Sequence, residues 1–181
     1  ENRIRLLGIG DVKIKLTRPI KGTPKTITLK KINEKKWYVS IVCTNIKKIT
    51  LPKTGHEIGI DLGVVNQVAL SNGQLVEGQR FLRKSEDKLA LHQQSLSRKK
   101  RVSKRRNKSR ELVGTTHRKI SNQRRDFNHK LSRELVNNFD LIVHEDLNIK
   151  NMSKSSKGTI KSPGKQVKQK SGLNKSINDA G

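Results

Sequence analysis

Ile58-Gly59-Ile60-Asp61-Leu62-Gly63 is a short apolar stretch that a single acid interrupts. An acid inside an apolar strand is costly unless it is paired or binds a metal ion. The glycines on either side of Asp61 leave the backbone without side chains, so that a bulky ligand can approach the carboxylate. The stretch therefore predicts a strand whose acid serves a ligand.

The residues that follow predict two more strands. Residues 65–70 are mostly apolar, Asn72-Gly73 is a pair preferred in tight hairpin turns, and residues 74–81 return as a third strand. Both an RNase H-like nuclease and the ATPase fold of actin, sugar kinases and heat-shock chaperones open in this way. Asp61 would be a metal ligand in the first and a phosphate-loop residue in the second. A solvated acid at the end of a strand is the third interpretation.

Residues 85–138 have a helical pattern and are strongly basic. Residues 98–110 carry nine cations, namely Arg98, Lys99, Lys100, Arg101, Lys104, Arg105, Arg106, Lys108 and Arg110. Gly114 separates this stretch from a second one, in which apolar residues recur at the spacing of one helix face, at Ile120, Phe127, Leu131 and Leu135. The two stretches predict an antiparallel helical hairpin at about residues 84–139.

A second acid ends another short apolar strand. Residues 139–143 run into Glu145. In an RNase H-like sheet this fourth strand lies parallel beside the first, which would place Glu145 next to Asp61. Two acids that meet at one end of a sheet are how nucleases hold divalent metal ions. The order of the elements favours this interpretation over two solvated acids, and the ATPase fold would need further glycine-rich nucleotide motifs.

The formal net charge of +26, from 41 Lys and Arg against 15 Asp and Glu, predicts a polyanionic partner. Nucleic acid fits best, because its phosphates release counterions when protein cations replace them. We expect no membrane partner, since the chain has no apolar run of roughly 18 residues and its basic segments lack an apolar face. Cys43 is the single cysteine, so the sequence offers neither a disulfide nor a cysteine zinc site within this chain, in keeping with a reducing cytoplasm.

The two ends of the chain differ in character. Residues 1–49 alternate apolar and polar side chains, as at Trp37, Val39, Ile41 and Cys43, and predict a small antiparallel sheet or barrel. Residues 150–170 are Lys, Ser, Gly and Gln with almost no apolar content, which predicts a mobile lid or a segment that orders when ligand binds.

Four motifs stand together in the order seen in TnpB-type (OrfB) transposon-encoded RNA-guided endonucleases, the relatives of type V CRISPR effectors. They are Ile58-Gly59-Ile60-Asp61-Leu62-Gly63-Val64, Leu96-Ser97-Arg98-Lys99-Lys100, Arg124-Arg125-Asp126-Phe127-Asn128-His129-Lys130-Leu131-Ser132, and Ile142-Val143-His144-Glu145-Asp146-Leu147-Asn148-Ile149-Lys150-Asn151-Met152. The chain resembles this family over most of residues 1–154.

The resemblance implies an α+β chain with a wedge-like β-barrel at residues 1–50, which is incomplete. A RuvC-type, RNase H-like mixed sheet with the inserted helical hairpin would follow at residues 56–149, and a basic flexible lid at residues 150–181. Asp61 and Glu145 would be the first two of three catalytic acids and would bind Mg²⁺. The partners would be a guide RNA and target DNA recognised by base pairing, with no small-molecule substrate. We expect the nine cations of residues 98–110, with Arg124 and Arg125, to contact nucleic acid in a prokaryotic, nucleoid-associated setting.

The sequence also departs from the family pattern. The motif Asp-Arg-Asp-x-Asn, which carries the third acid, is not present, and neither is the four-cysteine zinc ribbon, which would belong to a further carboxy-terminal part. Asp179 lies in a different family motif, and Asp146 should point to the face opposite Glu145. We therefore expect a truncated fragment that binds nucleic acid without cutting it, and a non-catalytic remnant of the same fold is the alternative function.

Overall fold

The computed structural model describes residues 2–33 and 36–180 of the chain and divides it into two units, Glu1–Leu51 and Pro52–Gly181. The strands in the described ranges are β1 (Arg3–Leu6), β2 (Gly10–Lys13), β3 (Thr23–Lys31), β4 (Trp37–Thr44), β5 (Glu57–Leu62), β6 (Asn66–Leu70), β7 (Leu75–Glu77) and β8 (Leu141–His144). The helices are α1 (Phe81–Ser97), α2 (Lys104–Asn138), α3 (Ile149–Met152) and α4 (Val167–Ala180). None of these helices is long and apolar enough to cross a membrane.

The first unit contains two antiparallel strand pairs, β1 with β2 and β3 with β4. The predicted alternation is visible in β4, where Val39, Ile41 and Cys43 are half-buried and the residues between them are exposed. Trp37 breaks the pattern because 57% of it is exposed, and the Lys31 ammonium lies 5.5 Å from the centre of its ring.

The second unit is built on a mixed four-stranded sheet in the order β7-β6-β5-β8. The predicted meander is present, since β5, β6 and β7 pair antiparallel in sequence, and β8 pairs parallel with β5. This mixed sheet with helices is consistent with an RNase H-like fold. The third strand is shorter than predicted, because β7 ends at Glu77 and the chain enters α1 at Phe81.

One face of the sheet packs against the last turns of α2. Ile58, Val68, Leu70 and Leu135 form the buried core, and partly buried apolar side chains surround it. These residues come from the two central strands and from α2, and Leu135 lies more than 60 positions after Leu70. The core thus brings the end of α2, and with it the β8 segment that follows, to β5. Asp140 reinforces this arrangement, because its carboxylate accepts hydrogen bonds from the backbone N–H groups of Thr54 and Gly55 just before β5.

The two long helices lie against each other in opposite directions. Three contacts show this order: Phe81 meets Phe127 edge to face with centroids 6.4 Å apart, His92 bonds Thr116, and Lys99 bonds Ser109. The chain reverses at residues 98–103. Our expectation that Gly114 separates the two helical stretches was wrong, since α2 runs through it without interruption for 35 residues. A lone glycine inside a helix costs only about 1 kcal/mol, which tertiary packing outweighs.

The segment after β8 has more regular structure than a flexible lid. It contains α3, a turn in which Gly158 pairs with Pro163, and the 14-residue helix α4. Backbone carbonyls of the α3 end accept hydrogen bonds from Lys170 and Asn174, at 2.7 and 2.8 Å. Polar contacts of this kind order a segment that has few apolar residues, which is why composition alone did not predict it.

Candidate active site and nucleic-acid interface

Asp61 and Glu145 lie at the same end of two neighbouring parallel strands. In the register of β5 and β8, Ile60 stands opposite His144. Asp61 is the next residue of β5, and Glu145 directly follows β8. The sheet thus brings together two acids that are 84 positions apart in sequence.

The strand register also gives the face of the sheet to which Asp61 belongs. Ile58 and Ile142 are register partners, and both belong to the core cluster on the side of α2. Side chains alternate along a strand, and Asp61 is three positions beyond Ile58. Asp61 therefore faces away from α2, and both Asp61 and Glu145 are exposed. Val143, the last but one residue of β8, is 59% exposed, so this end of the two strands is accessible.

The chemistry of these two side chains suits a hard divalent cation. Carboxylate oxygens are the ligands that Mg²⁺ prefers, and it usually takes only one or two from the protein while keeping several waters. The described residues contain no group of three or more His, Cys, Asp and Glu side chains placed to hold a metal ion. The donor set therefore fits part of a metal site, with two protein ligands at an open edge.

The lack of a side chain at Gly63, two residues after Asp61, has a local structural cause. A Cβ atom at this position would stand 2.6 Å from the carbonyl oxygen of Asn66, which real side chains do not approach so closely. The glycine is thus required by the tight connection from β5 to β6. Ligand access to Asp61 comes instead from the uncovered face of the sheet.

Asp179 is the acid whose role the sequence did not indicate. It is only 4% exposed, and its carboxylate accepts hydrogen bonds from the backbone N–H groups of Leu82 and Arg83 at 2.9 and 3.3 Å. Arg124 adds an ion pair at 3.0 Å. Burial opposes ionisation of Asp179, but these hydrogen bonds and the Arg124 charge outweigh it, so the pKa of Asp179 lies below its ordinary value.

These contacts give Asp179 the function of a helix cap. Arg80, at the N-cap position of α1, has a left-handed backbone and provides no side-chain cap. Asp179 supplies the missing acceptor from α4 and places a negative charge at the positive end of α1. The same contact fixes α4 to both long helices. No spacing in the sequence links these positions.

The predicted nucleic-acid-binding cations divide into two groups. Lys99, Arg106 and Arg124 have their charged ends in contacts within the chain: Arg106 donates to the carbonyls of Leu96 and Lys99 at 2.9 and 3.0 Å. Lys99 donates to the hydroxyls of Ser95 and Ser109. The remaining eight are exposed, namely Arg98, Lys100, Arg101, Lys104, Arg105, Lys108, Arg110 and Arg125.

This division has a physical cause. The last carbonyls of α1 have no partner within the helix and must be satisfied from outside it. Arg106 meets this need at the helix end, so it supports the turn into α2. The prediction that cations contact nucleic acid thus has most support at the eight exposed ones, whereas Lys99, Arg106 and Arg124 serve contacts within the chain.

The chain is similar to known proteins over most of its length. Residues 40–156 match the family model OrfB_IS605, described as "Probable transposase". The chain is 36% identical over 180 residues to "Putative RNA-guided DNA endonuclease InsQ" of Escherichia coli (strain K12), covering 99% of the chain and 44% of that protein. It is 35% identical over 147 residues to the "Putative RNA-guided DNA endonuclease" of Streptomyces pristinaespiralis, covering 80% of the chain and 36% of that protein.

More distant similarity extends to a virus. A TnpB-like protein of Acanthamoeba polyphaga mimivirus is 26% identical over 160 residues. The chain spans less than half the length of each of these relatives, at 44%, 36% and 30%. The family match covers well over half of the chain, and the first relative matches nearly all of it. The chain therefore belongs to the TnpB-type OrfB_IS605 family of probable transposases.

Proposed function

We propose that this chain carries the first two metal-binding acids and a nucleic-acid-binding surface of an RNA-guided DNA endonuclease. The observation that supports the proposal is that Asp61, in β5, and Glu145, directly after β8, lie at the same end of adjacent parallel strands. The names of the E. coli and Streptomyces relatives agree with this activity. The family membership gives no support to the alternative of an actin-type ATPase.

In this proposal Asp61 and Glu145 hold Mg²⁺ beside the phosphodiester to be cut. The bound metal would supply charge stabilisation and an activated water for in-line hydrolysis. Asp61 lies within β5 and is paired with β6, whereas Glu145 directly follows β8. The exposed cations on and near α2 bind the phosphates and hold the substrate without reading its sequence.

The other parts of the chain take the roles expected from the family. We propose that residues 1–50 contribute to a wedge-like β-barrel and that residues 56–149 form a RuvC-type domain with its helical hairpin. Residues 150–181 would be the basic lid segment. The partners would be a guide RNA and its DNA target in a prokaryotic cytoplasm, and a zinc ribbon would belong to the part of the relatives that this chain does not cover.

A non-catalytic nucleic-acid-binding role is the second candidate. Asp179 favours it, because this acid is engaged by Leu82, Arg83 and Arg124 and leaves only two acids at the candidate site. A nuclease site of this kind clamps two metal ions between carboxylates. With two acids, one of the ions would be held weakly.

Metal binding tests the proposed site directly. Mn²⁺, a spectroscopic substitute for Mg²⁺, should bind the wild-type chain, and both Asp61→Asn and Glu145→Gln should weaken binding by at least about tenfold because each removes a charged ligand. Glu57→Gln is the matched control, since Glu57 is an exposed acid on the same strand at its other end. Equal Mn²⁺ affinity in all three variants would contradict the assignment.

A further inference from the structure

The turn between α1 and α2 carries an apolar side chain in an unusual position. Val102 is 92% exposed, and its φ of +67° places it in the left-handed region. The Ser103 N–H donates to the Lys100 carbonyl at 3.4 Å, so Val102 is the third residue of a four-residue turn. Turns with a positive φ at this position usually have glycine or asparagine there. A β-branched residue in this conformation is strained and exposes its apolar surface to water.

The surrounding contacts hold this strained conformation in place. Arg106 bonds the Leu96 and Lys99 carbonyls, and its own backbone N–H donates to the Ser103 hydroxyl at 3.1 Å. The Ser103 hydroxyl in turn donates to the Lys100 carbonyl at 2.9 Å. The turn is thus fixed from both helices. Strain that a structure over-determines in this way is typical of positions with a function.

Exposed cations surround Val102 in sequence on both sides. Lys100 and Arg101 precede it and Lys104 and Arg105 follow it, and all four are exposed. The nearest acids along the chain are Asp87 and Glu111, well outside the turn. The tip of the helix pair is therefore an apolar point between two pairs of positive charges. This arrangement complements a narrow groove that has sugars along its walls and a row of phosphates on each side.

We propose that Val102 inserts into the minor groove of a nucleic-acid duplex. Its methyl groups pack against sugars and base edges, while the flanking cations contact the phosphates of the two strands. Proteins that bind the minor groove commonly place apolar side chains there beside Arg and Lys. The inference rests on the proposed function, because it assumes that the exposed cations bind nucleic acid, and it adds a duplex partner and a residue that makes no phosphate contact.

Two substitutions separate the contact of Val102 from its conformation. Val102→Gly removes the side chain and favours a positive φ, and Val102→Asn keeps a side chain of similar size that tolerates this φ but is polar. Both variants should keep or raise the melting temperature of the chain, because the backbone strain is relieved. Both should weaken binding to a short duplex by about fivefold to tenfold, as expected for loss of a partly buried apolar side chain.

The salt dependence distinguishes Val102 from its charged neighbours. The slope of log affinity against log salt should be unchanged in both Val102 variants, whereas Arg105→Gln should reduce it by about 0.7–0.9. Leu91→Ala is the control for loss of an exposed apolar side chain, since Leu91 is 64% exposed on α1 away from the turn. It should leave duplex affinity unchanged.

Heparin is the probe for charge alone, because it is a polyanion without base pairs or a groove. Both Val102 variants should bind heparin as the wild-type chain does. Equal weakening for heparin and duplex would overturn the proposal, since it would mean that the substitutions displace the cations. An unchanged duplex affinity, or equal weakening for single strands and duplex, would overturn it as well. If the wild-type chain shows no salt-dependent binding to any nucleic acid, the proposed function fails rather than this inference alone.

Discussion

At the scale of single residues, Asp179 connects three helices through one carboxylate. It caps the backbone of α1, pairs with Arg124 of α2 and belongs to α4. The ion pair needs the charged carboxylate, and the hydrogen bonds are stronger to it, so the pKa of Asp179 lies below its ordinary value and folding favours the ionised form. A buried acid thus stabilises the contacts among α1, α2 and α4.

Asp179→Asn should lower the free energy of unfolding at pH 7 by about 1–2 kcal/mol, because it removes a charged acceptor from two backbone donors and from Arg124. A depressed folded-state pKa contributes stability above the unfolded pKa of 3.8, and this contribution is lost as pH falls through the folded-state value. The difference between wild type and variant should therefore shrink as urea unfolding is repeated from pH 7 down to about pH 3.

The control for this experiment is Asp126→Asn. Asp126 forms an exposed pair with Lys130 one helical turn away, at 2.7 Å, and such pairs contribute little. We expect a change of less than about 0.5 kcal/mol for it. A pH-independent difference for Asp179→Asn would show that the carboxylate charge does not matter to the fold.

At the scale of the helical elements, adjacent arginines at the start of α2 have different tasks. Arg106 donates to the carbonyl of Leu96 in α1 and to that of Lys99 in the turn, whereas Arg105 is exposed. Arg106 therefore supports the connection between α1 and α2, and Arg105 contributes to the charged surface. Sequence density alone cannot separate these tasks.

Arg106→Gln should destabilise the helix pair by about 1–3 kcal/mol, because it leaves the carbonyls of Leu96 and Lys99 without a charged donor. Arg105→Gln should stay within about 0.5 kcal/mol of the wild type, as is usual for an exposed surface residue. Thermal unfolding followed by helical circular dichroism measures both values. The effects on nucleic-acid binding should be the opposite. The slope of log affinity against log salt should be flatter for Arg105→Gln and unchanged for Arg106→Gln. Equal effects of the two substitutions in either assay would refute the division of roles.

At the scale of the whole molecule, the charge of +26 and the eight exposed cations predict that the chain binds nucleic acid. Affinity for nucleic acid should fall steeply with salt, by about 0.7–0.9 log units per log unit of salt for each phosphate contact. In the proposed site Asp61 and Glu145 are the two acids, so one of two metal ions would lack carboxylate ligands, and losing such charge stabilisation commonly costs several kcal/mol in the transition state. The 181-residue chain should therefore show no Mg²⁺-dependent DNA cleavage with guide RNA supplied.

A chain that extends over the remaining length of the relatives should cut under the same conditions, which makes it the positive control. Guided cleavage by the 181-residue chain that disappears in Asp61→Ala would show this prediction to be wrong. It would mean that another acid completes the site. Cleavage that persists in Asp61→Ala would point to a contaminating nuclease.

The sequence by itself determined the order of β5 to β8 and the helical character of the chain between β7 and β8, and it indicated the acids Asp61 and Glu145 near the ends of β5 and β8. Local alternation, hairpin residues and apolar periodicity contain this information, since each acts over a few neighbouring positions. The tertiary structure decided the rest. It placed the helix break at residues 98–103 rather than at Gly114, because packing between helices outweighs the cost of one glycine. It also paired Asp179 with Arg124, 55 positions away, and took Lys99 and Arg106 out of the exposed surface. Such contacts satisfy buried polar groups at helix ends, and only the folded chain shows which distant side chains can reach them.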